Sequence, residues 1–167
     1  MTPNFPALAF CRDISPGADP GQDVVTCFVD LQDFATCTTR DLKRGERQGL
    51  TLVDRDLETW QVTSIIDLGP YGSRLSRAIR FLVSQSVRRI DQKLVHLGPI
   101  PLEALKTRVA ETILATPDYW RDDEAIAGED GPPIEEQVLL DEIVSTVHAA
   151  SSVLEIINGL FGESFEA

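Results

Sequence analysis

Apolar and polar residues alternate in the first half of the chain. Segments 24–31, 49–54 and 59–69 are rich in β-branched and aromatic side chains, which favour strands. In the last segment the apolar residues that share one side of the predicted strand are Trp60, Val62, Ile66 and Leu68. The polar residues 55–58 suit a hairpin turn, so the pattern predicts a small antiparallel sheet over about residues 24–69. It leaves residues 33–48 open between strand and helix.

The spacing of apolar residues changes from two to about three and a half after Gly69 and Pro70. This spacing predicts three α-helices, at about 73–97, 101–115 and 132–158. We therefore expect an α+β fold in which the three helices pack on one face of the sheet. The length of 167 residues suits a single domain, with a β-rich part at 24–69 and a helical part at 70–167.

The N-terminal residues 1–23 carry a stretch rich in proline, glycine and aspartate at 12–23, which predicts a loosely ordered segment. The chain shows neither a basic region followed by an apolar run nor about 20 consecutive apolar residues. Its cysteines, at 11, 27 and 37, are odd in number and form no CxxC pair, which indicates reduced thiols without a zinc site. We expect a cytoplasmic protein.

Charge divides the chain into two parts. The formal net charge is -12, and residues 1–100 hold 12 acidic and 12 basic side chains against 15 acidic and 3 basic in residues 101–167. Segment 118–137 alone contains eight acidic residues and one basic residue. Such a field attracts basic surfaces and repels phosphates and anionic membranes, so it predicts a basic protein partner, with solubility as the simpler alternative.

An aromatic pair, Tyr119 and Trp120, stands directly before the densest acidic residues. Exposed rings surrounded by carboxylates have the composition of a protein-binding hot spot. The alternative is that both rings pin the loop onto the helices. The predicted partner-binding residues are Tyr119, Trp120, Asp122, Asp123, Glu124, Glu129 and Asp130.

A basic ridge lies opposite the apolar stripe of the first predicted helix. Because arginine binds oxyanions bidentately, this ridge could bind anions, although a solvated helix face explains it as well. Without interleaved aromatic residues the ridge does not indicate nucleic-acid binding. Its members are Arg74, Arg77, Arg80, Arg88 and Arg89.

Other candidates for chemistry are sparse. Asp54, Asp56 and Glu58 could converge on a hard cation, but they also suit an ordinary turn, and the turn is the favoured interpretation. His96 and His148 are not expected to share a site. Because no catalytic or phosphate-binding motif is present, we predict no cofactor and no metal, and we do not favour an enzyme.

A small, acidic α+β chain resembles the bacterial immunity proteins that block toxic nucleases. The resemblance implies a non-catalytic protein that binds and neutralises or escorts a basic partner such as a toxin. One alternative is a small enzyme or ligand-binding domain with a site between sheet and helices. Another is an assembly or scaffold subunit that self-associates by pairing its basic ridge with a neighbour's acidic loop.

Overall fold

The computed structural model describes residues 2–12, 22–72, 86–120 and 136–162, which form a mixed α+β fold. Six strands are present in this part of the chain: β1 (Ala7–Arg12), β2 (Asp23–Phe28), β3 (Thr36–Thr38), β4 (Thr51–Asp54), β5 (Glu58–Pro70) and β6 (Val87–Pro99). The helices are α1 (Leu31–Phe34), α2 (Thr39–Arg44), α3 (Leu102–Ala115), α4 (Glu136–Ala149) and α5 (Val153–Phe161), with a 3₁₀ turn at Pro117–Tyr119.

All six strands form one antiparallel sheet with the order β2-β1-β4-β5-β6-β3. Its two edge strands, β2 and β3, are close in sequence because only residues 29–35, including the four residues of α1, join them. The sheet curls, which brings the edges toward each other and gives it an inner and an outer face.

Strand β1 corrects the expectation of a loosely ordered segment at 1–23. Its residues Ala7 to Cys11 are all buried, and β1 pairs with β2 on one side and β4 on the other. A strand that is covered on both faces needs apolar residues at every position, so it carries no alternation. The continuous apolar run was the available signal for this strand; residues 13–21 lie outside the described residues.

Each face of β1 belongs to a different apolar core. The helical-side core joins the outer face of the sheet to the last three helices, and its central members include Leu8, Phe10, Val25, Val53, Leu105, Val109, Ile113, Val147, Val153, Ile156 and Ile157. The inner core fills the concave side of the sheet, and its members are Ala7, Ala9, Cys11, Val24, Phe28, Phe34, Leu50, Leu52, Trp60 and Val62.

Strand β6 corrects the first predicted helix. Residues 87–97 are strand, and residues 73–85 lie outside the described part of the chain. Ile90 and Leu94 are four positions apart, a spacing that puts two residues on one side of a helix and also on one side of a strand. Pairing along most of β5 decides between the two, because that contact supplies the hydrogen bonds of the whole segment.

The two long strands also depart from the predicted alternation. A register shift between Val62 and Ser64 turns Ile65 toward the inner core and leaves Ile66 exposed. The prediction that Ile66 and Leu68 share the buried side of Trp60 is therefore wrong, since Leu68 is exposed too. One extra residue in a strand moves all later side chains to the opposite face.

The second predicted helix is confirmed as α3. The third is two helices, α4 and α5, because the chain turns at Ala150–Ser152 and the Ser152 hydroxyl accepts a hydrogen bond from the Glu155 backbone N–H to start α5. The open segment 33–48 contains the end of α1, then β3 and α2, so the described residues contain five α-helices instead of the three predicted. Among them, none combines the length and the apolar composition that crossing a bilayer requires.

Candidate functional site

The helical layer, α3 to α5, turns its basic side chains inward. Its described residues include two cations, Lys106 and Arg108, both on α3. The Lys106 side chain is only 8 % exposed, and its ammonium donates to Glu103 Oε1 at 2.9 Å and to the His148 carbonyl at 3.1 Å. The Arg108 guanidinium lies 3.9 Å from the centre of the Phe10 ring. Both charges are therefore used to join helices to each other or to the sheet.

Carboxylates occupy the outside of the same layer. The described acidic residues with exposed side chains are Glu103, Glu111, Asp118, Asp141, Glu142 and Glu155. The Ser151 backbone N–H and hydroxyl donate to the two Glu155 carboxylate oxygens at 2.7 Å each, which lowers the pKa of Glu155 and keeps it ionised. The outer surface of the layer is thus acidic, while its cations point inward.

We infer that helices α3 and α4 run antiparallel. Lys106, in the first half of α3, binds the carbonyl near the C-terminal end of α4, a contact that directs the start of α4 toward the end of α3. Three large apolar side chains are exposed at this end: Leu114 at 50 %, Tyr119 at 46 % and Val138 at 52 %. We call this region, with Glu111, Asp118 and Glu142, the acidic end.

The two rings of the aromatic pair at the acidic end lie in different environments. The Trp120 ring packs against the helical-side core with its centre 5.9 Å from that of Phe161, and Tyr119 meets it edge-on at 5.5 Å. The Trp120 indole nitrogen is buried and has no hydrogen-bond partner among the described residues. The pinning alternative thus describes Trp120, whereas Tyr119 presents much of its ring to solvent.

Five of the predicted partner-binding residues fall in segment 121–135, outside the described residues, and their role stays a prediction. They are Asp122, Asp123, Glu124, Glu129 and Asp130. This segment leaves the described structure at Trp120 and re-enters it at Glu136, so both of its attachment points are at the acidic end. The chain connectivity therefore joins the densest charge to the exposed apolar side chains.

The predicted basic ridge is not helical at Arg88 and Arg89, which lie on β6. Neighbouring residues of a strand point to opposite faces, so these two side chains cannot share a ridge. Arg88 is neutralised by Asp67, with 2.5 Å between the charged atoms. Arg74, Arg77 and Arg80 lie outside the described residues, and an anion-binding role for the five arginines stays a prediction.

At the β4–β5 hairpin the Asp54 carboxylate organises the turn, as the favoured interpretation expects, whereas those of Asp56 and Glu58 bond the side chains of Asn4 and His96. Asp54 is 2 % exposed, and its carboxylate accepts hydrogen bonds from the backbone N–H groups of Asn4, Asp56 and Glu58 and from the Trp60 indole. Within the described ranges, no group of three or more histidine, cysteine, aspartate or glutamate side chains could hold a metal ion.

Sequence reasoning missed one pair at this hairpin. His96 Nε2 lies 2.5 Å from Glu58 Oε2, and the imidazole packs on the Trp60 ring at 4.6 Å between centres. The pairing of β5 with β6 brings these residues together, and no local signal announces it because 38 residues separate them. His148 lies on α4, and its carbonyl bonds Lys106.

Burial raises the pKa of two of the cysteine thiols. Cys11 is buried between β2 and the inner core, and desolvation raises its pKa to about 12. Burial also raises the pKa of Cys37. Since the thiolate is the reactive form, neither side chain is suited to act as a nucleophile at neutral pH.

The space between the sheet and the helices is occupied by the helical-side core, in which side chains of β1, β2 and β4 touch those of α3, α4 and α5. The arrangement at the acidic end offers binding area and charge. Compared with known proteins, the chain matches no family model, no curated protein and no solved structure.

Proposed function

We propose that this protein is a non-catalytic interaction module that binds a basic protein partner through the acidic end and neutralises or escorts it, in the manner of the bacterial immunity proteins that block toxic nucleases. One observation carries the proposal. Both described cations of the helical layer point inward, whereas its carboxylates face solvent. The described carboxylates of this layer are therefore accessible to other molecules, including Glu103, whose side chain is 81 % exposed although it pairs with Lys106.

The exposed apolar side chains supply the second requirement of a protein interface. Charge alone speeds encounter and sets orientation, but affinity comes mainly from apolar and aromatic groups that are buried on binding. Leu114, Tyr119 and Val138 are large and about half exposed, and each has Glu111, Asp118 or Glu142 within four residues along the chain. Tyr119 brings a ring that Trp120 already holds in place, so little conformational freedom is lost when it is covered.

The alternatives are less well supported. A ligand site between sheet and helices has no room where the helical-side core fills that space. Self-association would use the basic ridge, but one arginine of that ridge, Arg88, is already paired with Asp67 of the same chain. The assembly alternative remains an outcome of the experiment below.

The test begins with the full chain as bait at low and high ionic strength, followed by purification of any basic protein retained only at low salt. Its association rate is then measured for the wild type and for the triple variant Glu111→Gln, Asp118→Asn, Glu142→Gln. We expect this variant to slow association by about tenfold at low salt, because it removes three steering charges. Tyr119→Ala should raise the dissociation rate instead, since it removes contact area.

A matched control carries Asp30→Asn, Asp56→Asn and Asp91→Asn, which neutralise three exposed carboxylates of the β-rich part, and asparagine can still cap α1 at position 30. It changes the net charge equally but leaves the acidic end intact, so its association rate should stay within about twofold of the wild type. The proposal fails if nothing basic is retained at low salt, or if the control slows association as much as the test variant does. Salt-dependent oligomers of the bait alone would favour the assembly alternative.

A further inference from the structure

An open cleft lies where α1, β3 and β6 meet. It has a volume of about 410 Å³, and the described residues that line it are Leu31, Gln32, Ala35, Thr36, Tyr71 and Arg89. This volume falls in the range of about 300–1,000 Å³ that is typical of small-ligand sites. The lining comes from α1, β3, β6 and the end of β5, so the curled sheet, and not a single element, creates the concavity.

The walls of the cleft are mostly apolar. Leu31, the first residue of α1, is 64 % exposed and is the most exposed of the large hydrophobic side chains described. The hydroxyl of Thr36 already donates to the Gln32 carbonyl at 3.1 Å, so this group is satisfied within the chain. No carboxylate is among the described lining residues, whereas one guanidinium is.

That guanidinium belongs to Arg89, which differs from its neighbour Arg88 in one decisive respect. Arg88 has the Asp67 carboxylate as its partner, whereas no acidic side chain of the described structure forms an ion pair with Arg89. Arg89 is the cross-strand partner of Thr36, and directly opposed residues of an antiparallel pair share a face. This register places Arg89 beside the apolar wall of the cleft, with its charge available.

We propose that the cleft binds a small amphiphilic anion, a carboxylate or sulfonate on an apolar body, with Arg89 binding the oxyanion and Leu31 contacting the apolar part. Arginine donates from a planar fork that matches the geometry of such oxyanions. The single cation and the absence of lining carboxylates among the described residues select for one negative charge. This site is independent of the acidic end and of the partner proposed there.

The experiment uses two fluorescent probes of similar shape on the full chain. The first is 8-anilino-1-naphthalenesulfonate, which is anionic, and the second is N-phenyl-1-naphthylamine, which is uncharged. We expect Arg89→Gln to weaken binding of the sulfonate probe by about tenfold, the effect of losing one charge-assisted hydrogen bond, and to leave the uncharged probe within about twofold. Leu31→Ala should weaken both probes.

Arg88→Gln is the matched control, because it removes the same charge from the adjacent residue on the other face of β6. Its affinity for both probes should remain within about twofold of the wild type. Circular dichroism confirms that each variant is folded. The proposal is overturned if neither probe binds the wild type, if the two arginine variants weaken the sulfonate probe equally, or if Leu31→Ala has no effect.

Discussion

The two faces of the sheet are both covered by apolar side chains, yet the charged groups beside them lie in different environments. On the inner face, Asp54 is enclosed with its carboxylate surrounded by donors, and the Cys11 thiol is held neutral by burial. On the helical side, Lys106 and Arg108 run along the core and use their charged ends to join elements, while carboxylates remain in solvent. The inner face therefore encloses charged groups of both signs, since the Arg47 guanidinium lies 4.6 Å from the Phe28 ring centre and donates to the Phe34 carbonyl, whereas the helical face keeps its carboxylates in solvent.

This difference bears on function. A buried carboxylate that accepts four hydrogen bonds is committed to the fold, so the hairpin at Asp54 is an architectural feature. The outward carboxylates of the helical layer are exposed, so another molecule can reach them even where, as at Glu103 and Glu155, they also bond within the chain. The comparison predicts that substitutions on the inner face mainly lower the free energy of unfolding. Substitutions on the helical surface should mainly weaken binding of the partner.

The largest expected effect comes from Asp54→Ala, which leaves the Trp60 indole N–H and three backbone N–H groups without their acceptor. We expect the free energy of unfolding to fall by about 3 kcal/mol, because buried donors without partners are costly. Urea denaturation measures the loss. Asp56→Ala, an exposed change in the same turn, should cost no more than about 0.5 kcal/mol. Equal losses would show that Asp54 has no special role.

The second effect is a loss of stability in alkali. The pKa of Cys11 is raised from 9.0 to about 12 in the fold, so above pH 9 the unfolded chain gives up a proton that the folded chain keeps. Stability then falls by about 1.4 kcal/mol for each pH unit, and by about 2 kcal/mol at pH about 10.5. Urea denaturation at pH about 8 and about 10.5 measures this change. Cys11→Ala should remove this part of the pH dependence, and an unchanged dependence in that variant would contradict the assignment.

The smallest effect belongs to the helical side. Lys106→Met keeps the apolar stem but removes the donor to the His148 carbonyl, so we expect the free energy of unfolding to fall by about 1 kcal/mol. Thermal or urea unfolding provides the measurement. Glu103→Gln is the control and should cost about 0.5 kcal/mol at most, because the Glu103 side chain is 81 % exposed and its ion pair is screened. A larger loss from Glu103→Gln would mean that the ion pair within α3, and not the carbonyl contact with α4, accounts for the stabilising effect of Lys106.

Much of the fold was predictable where local pattern and final environment agree. Strands β2, β4 and β5 and helix α3 were expected from the local spacing of their apolar residues, although register shifts in β5 change which side chains face the core after Val62. Strand β6 was not, since its apolar spacing suits both a helix and a strand until β5 is placed beside it. The negative charge of the candidate site and the membership of Tyr119 in it could be predicted from the sequence. The inward orientation of the Lys106 side chain could not, because it depends on α4 packing against α3.

By itself the sequence determined the mixed fold class, the acidic character of residues 101–167 and the position of the aromatic pair, because these follow from composition and local spacing. Tertiary structure decided the rest. The pairing of distant strands made residues 87–99 a strand and separated Arg88 from Arg89. The curl of the sheet opened the cleft beside Leu31, and helix packing turned the cations inward. Contacts between residues far apart in the chain set these outcomes, and such contacts have no signature in a local window of sequence.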